Sequence, residues 1–62
     1  MGLSRKDIRT QAEQFLGYFL RLNDRKLNDA FRFWAESKDF DRETRKAIRR
    51  EVNRILKQRK QN

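Results

Sequence analysis

Apolar residues recur along this chain at spacings of three and four, and no stretch alternates apolar with polar as a half-buried strand would. Ile8, Ala12, Phe15, Phe19 and Leu22 advance by four, three, four and three residues, which is one stripe of a helix over about 5–22. Ser4 stands as its N-cap, Asp7 completes a variant capping box, and Leu3 is spaced to staple onto Ile8. Leu16, Tyr18 and Leu20 widen the stripe past half the circumference. Such a helix must meet two neighbours, or one neighbour and a second copy of the chain.

A second helix, about 25–37, is expected after Asp24 as cap, with Leu27, Ala30, Phe31 and Trp34 inward. Phe33 falls on its opposite side, beside Asp29 and Arg32. A third, about 42–60, opens on Asp41 as cap with Glu43 in the positive first turn. Ala47, Ile48, Val52, Ile55 and Leu56 form its inward face. Proline is absent, and neither a linker nor an internal repeat divides residues 1–62. The joints around Asn23-Asp24 and Lys38-Phe40 are short and favour antiparallel neighbours. These elements predict an all-α fold, a small three-helix bundle in one domain, with homodimerisation as one way to cover the wide stripe. The turn Ser37-Lys38-Asp39-Phe40 has the length of a helix-turn-helix turn but lacks its usual Gly, and the helix that follows is long for a recognition helix. The plain bundle is the better expectation.

With 35% hydrophobic residues and seven aromatics in 62, the chain is too apolar for a disordered basic tail. A core of this size supplies only about 3–5 kcal/mol, so stability should be modest. Cys and His are both missing, which excludes disulfides, thiolate or imidazole metal sites and the commonest general base, and no cofactor is expected. The lack of Cys fits a reducing cytosol, so a cytoplasmic location is expected. Neither a membrane-length apolar run nor a signal peptide is expected, because charge begins at Arg5.

Charge changes the picture most. Residues 42–62 hold nine Lys/Arg against two Glu, whereas residues 1–41 hold eight against seven acids, so nearly all of the net +8 belongs to the last helix. At roughly 100° per residue, Arg42, Lys46, Arg49, Arg50, Asn53, Arg54, Lys57 and Lys60 fall across the arc opposite Ile48, Val52 and Ile55. Glu43 interrupts that arc and Glu51 borders it. A solubility face usually mixes acids with bases four residues apart, and here the acids are nearly missing. Arginine predominates, and its forked guanidinium suits phosphate oxygens. Asn53 has the donor and acceptor that an adenine edge requires, though a plain surface amide is the simpler reading.

No catalytic constellation competes with this face. The acids sit singly at caps and joints, Ser4, Ser37, Thr10 and Thr44 have no base to activate them, and phosphate-loop glycines are absent. An enzyme is therefore not expected, nor a small-molecule substrate. The leading expectation is a nucleic-acid binder, DNA or RNA, contacting phosphates through the last helix. The alternative is a small protein-interaction module, an adaptor or inhibitor of the kind phages and plasmids encode, docking on an acidic protein surface. Phe33 is the candidate partner contact in that case, or a platform for a base. Binding to an anionic membrane ranks last, because the apolar face of the third helix has no Trp or Phe anchor.

Overall fold

The computed structural model describes residues 3–22 and 26–60, apart from the side chain of Lys60. Three helices form, α1 Arg5–Leu20, α2 Leu27–Ser37 and α3 Arg42–Lys60, with no strand among the described residues.

Each boundary has a local cause. Ser4 takes extended backbone angles, and its Oγ accepts the Asp7 backbone N–H at 3.2 Å, as the capping pattern predicts. The end of α1 falls at Leu20 rather than Leu22. Arg21 and Leu22 donate their N–H groups three residues back, to Tyr18 at 3.1 Å and Phe19 at 3.0 Å, so the last turn tightens and leaves the α ladder. The start of α2 also differs. Asp24, the expected cap, lies outside the described residues, and the N-cap position is held by Lys26, whose side chain makes no capping bond. Lys26 has no acceptor to offer, so helix entry here rests on the burial that begins at Leu27 and on Asp29, an anion in the first turn.

Between α2 and α3 the chain turns without glycine. Asp39 adopts a left-handed φ of 58°, a conformation Asp tolerates better than most residues, and its N–H reaches the Glu36 carbonyl at 3.2 Å. Ser37 Oγ donates to the Trp34 carbonyl at 2.7 Å, and the Phe40 ring lies 5.7 Å from the Trp34 ring. Asp41 then caps α3 as predicted, its Oδ1 accepting the Thr44 N–H at 2.8 Å. Arg45 closes the turn by donating Nε to the Phe40 carbonyl at 2.9 Å.

The buried core comprises Ala12, Phe15 and Leu16 of α1, Ala30, Phe31, Trp34 and Ala35 of α2, and Ile48, Val52 and Ile55 of α3. Thr44 and Ala35 are buried in addition to the expected positions, while Leu20, expected to widen the apolar stripe, stands 68% exposed. Helix α1 packs on both others and most extensively on α3, whereas α2 and α3 approach each other less closely. The Cα envelope of 33 × 24 × 14 Å is correspondingly flat. Its thin dimension matches two layers of helix, with axes about 8–10 Å apart and a Cα radius of about 2.3 Å on each side. A short joint fixes only where two helix ends meet; the broad stripe of α1 lets it pack on both other helices.

Two measurements test this account. Gly17 is exposed in α1, with nothing within 4 Å of the position a Cβ would occupy. Gly17→Ala should therefore stabilise the fold by about 0.5–1 kcal/mol, raising the thermal midpoint by several degrees. At the other cap, hydrogen bonds from the Thr44 hydroxyl and N–H hold the Asp41 carboxyl below its ordinary value. The folded pKa lies under the unfolded one, so this contribution is complete above the ordinary aspartate range and is lost as pH falls through the folded value. Thermal midpoints measured from about pH 6 down to about pH 2 should fall. In Asp41→Ala the same fall should be smaller, and an equal fall would remove Asp41 as its source.

Candidate nucleic-acid interface

With Ile48, Val52 and Ile55 turned into the core, the opposite side of α3 faces water. Arg42, Lys46, Arg50, Asn53, Arg54 and Lys57 are all exposed there. Lys46, Arg50 and Lys57 recur at helical spacing and form a row along the axis, rising about 17 Å from first to last. Glu43 adjoins the start of this row, lining a shallow crevice with Lys46, Ala47 and Arg50. Lys60 ends the helix, and its side chain lies outside the described part of the structure.

Almost none of this charge is neutralised internally. Among the described residues the ion pairs are Arg9–Glu13, Arg32–Glu36 and Arg54–Glu51, each within one helix. Only the last involves the α3 face, and at 4.0 Å between partly exposed groups it is a loose contact. Arg42, Lys46, Arg50 and Lys57 have no carboxylate partner among the described residues. Like charges aligned on a low-dielectric support generate a local positive potential that concentrates polyanions.

Arg49 behaves differently from the arc to which its sequence position assigns it. It is half-buried between α2 and α3, its guanidinium carbon 5.5 Å from the centroid of the Phe31 ring. One terminal nitrogen donates to Asn28 Oδ1 at 2.6 Å, and Nε donates to Asn53 Oδ1 at 3.2 Å. Burial lowers the pKa of this guanidinium, which nonetheless stays charged at neutral pH. The cause is angular. Arg49 lies roughly 100° from Ile48, at the edge of the polar arc, where a planar cation can lie on an aromatic face of the neighbouring helix. Arg49 is thus largely a strut, and Asn53 is its acceptor as well as a surface residue. The third participant, Asn28, carries no sign of this role in the sequence, because the contact spans two helices and depends on their packing.

Two further cations of α3 lie off this row. Arg45 closes the preceding turn, and Arg59 lines a crevice shared with Arg9 and Glu13 of α1. Phe33 is 55% exposed. It lies five positions from Asn28 and two from Phe31, hence about 140–160° around α2 from both residues that hold Arg49. The structure therefore does not bring Phe33 to the basic face.

No group of His, Cys, Asp or Glu among the described residues could hold a metal ion, and no helix there is long and apolar enough to cross a membrane. No known family model, curated protein or solved structure matches this chain, so its chemistry rests on its own surface.

The two kinds of arginine are separable by melting. Arg49→Leu removes a stacked cation and a charged hydrogen bond and should cost about 1 kcal/mol, lowering the midpoint by about 4–8 °C. Arg50→Gln, one residue on, should stay within about 0.5 kcal/mol of the parent. Equal losses from the two would refute the distinction.

Proposed function

We propose that this protein is a non-enzymatic nucleic-acid binder that lays the exposed face of α3 along a phosphate backbone. The observation that carries this reading is the set Arg42, Lys46, Arg50, Arg54 and Lys57, exposed together on one side of a 19-residue helix and almost without internal counter-charge. Arginine and lysine contacts to phosphate oxygens need no base sequence, and a straight helix about 28 Å long reaches several phosphates at once. The rigid support from α1 and α2 means that little ordering is required on binding.

A second reading, docking on an acidic protein or pairing with another copy, draws on the exposure of Phe33 and Leu20. These side chains lie apart from the basic face on the sequence of their helices, and the charge asymmetry favours a polyanion. A cytoplasmic setting, where nucleic acid is plentiful, accords with the first reading and with the lack of Cys.

Salt dependence discriminates. If five cations each displace a condensed counterion, the logarithm of affinity for duplex DNA should fall against log salt with a slope of about −4 to −5. That corresponds to a loss of about 10²–10³-fold between 50 and 200 mM salt. The variant Lys46→Glu/Arg50→Glu/Lys57→Glu should abolish binding while keeping its helical circular dichroism, since all three side chains are exposed. Affinity that is flat with salt, or unchanged in the triple variant, would overturn the proposal.

A further inference from the structure

Building on the proposed phosphate contact, we infer that the α3 face takes double-stranded nucleic acid in preference to single strands, through the phosphate backbone and without reading adenine or cytosine edges. Two independent observations lead there, one about hydrogen-bond acceptors and one about aromatic rings.

An adenine or cytosine edge is read only with an acceptor on the protein for its exocyclic amine, whereas donors alone can meet guanine O6 and N7. Arg42, Lys46, Arg50, Arg54 and Lys57 are donors only. The amide that could supply an acceptor in the middle of this row is Asn53, and its Oδ1 already receives the Arg49 Nε–H at 3.2 Å. Arg49 in turn is held by Asn28 at 2.6 Å and by the Phe31 ring, so it anchors the Asn53 carbonyl toward the helix junction. The Asn53 NH₂ adds one more donor to the row, and the orientation of its Oδ1 is set by the Arg49 contact. Glu43, the other acceptor on this side, is a carboxylate in the first turn and repels a phosphate backbone rather than assisting one.

The second observation separates double from single strands. Proteins that hold single strands without sequence preference combine cations with exposed aromatic platforms on which unstacked bases rest. Helix α3 contains no aromatic residue, and Phe31, the ring that Arg49 covers, is buried. Phe33 is exposed, yet it sits on the far side of α2 from the Arg49 contacts. A base splayed from a single strand would find no surface to stack on beside Lys46, Arg50 and Lys57. A duplex keeps its bases stacked internally and presents the denser array of phosphates.

The test is fluorescence anisotropy with the full chain at about 50 mM salt against four probes: two 24-base-pair DNA duplexes of unrelated sequence and one strand of each. We expect the duplexes to bind equally within about twofold and the single strands to bind about tenfold more weakly or worse. Asn53→Ala should alter duplex affinity by less than about twofold, since the flanking cations make the phosphate contacts. A difference above tenfold between the duplexes, or single strands that match or exceed them, would overturn this inference while leaving phosphate binding intact. Failure of all four probes to bind would overturn both it and the function on which it rests.

Discussion

The packing of Phe15 against the aromatic side of α2 is the constraint on which the molecule depends. Its ring is fully buried in the middle of α1, with centroids 5.0 Å from Phe31 and 5.3 Å from Trp34, and it also neighbours Phe19 and Tyr18. Trp34 extends the cluster to Phe40, at the threshold of α3. Ring pairs at these separations prefer tilted and edge-on arrangements, which fixes helix orientation more tightly than aliphatic contact does. From this cluster α1 reaches Ile48 and Val52, both fully buried, and so fixes which side of α3 is covered. The exposed face of α3 is what that packing leaves over.

Arginine serves three ends within this one helix. Arg45 seals a turn, Arg49 bridges α2 and α3 as a stacked, hydrogen-bonded cation, and Arg50 and Arg54 stand in water. Their chemistry is identical; what differs is angular position and the neighbour it brings. A guanidinium at the border of the buried face can desolvate one side against an aromatic ring and keep its fork satisfied, whereas one at the centre of the exposed arc has only solvent or a ligand to bond. Counting basic residues therefore overstates the binding surface, and Arg49 belongs mostly to the scaffold.

Much of the architecture was legible before any coordinates. Helix α3 runs over the interval its pattern and Asp41 cap predict, and Ser4 caps α1 as expected, because caps and periodicity are local and act within one turn. The boundaries that shifted did so where local signals were weak. Leu22 keeps an inward place although the last turn of α1 tightens after Leu20, and Lys26 occupies a cap position that its side chain cannot fill. The turn without glycine closes through Asp39 in a left-handed conformation, a role that Asp can fill and that composition does not announce.

From residue order alone came the helical class, the three segments, the inward stripes and the concentration of positive charge on one side of the last helix, since each follows from 3.6-residue periodicity. Packing in three dimensions settled the rest: that α1 packs on both of its partners and most extensively on α3, and that Asn28 and Phe31 of α2 capture Arg49 of α3. These are relations between side chains on different helices. They depend on how the helices are placed against one another, which no spacing within one segment encodes.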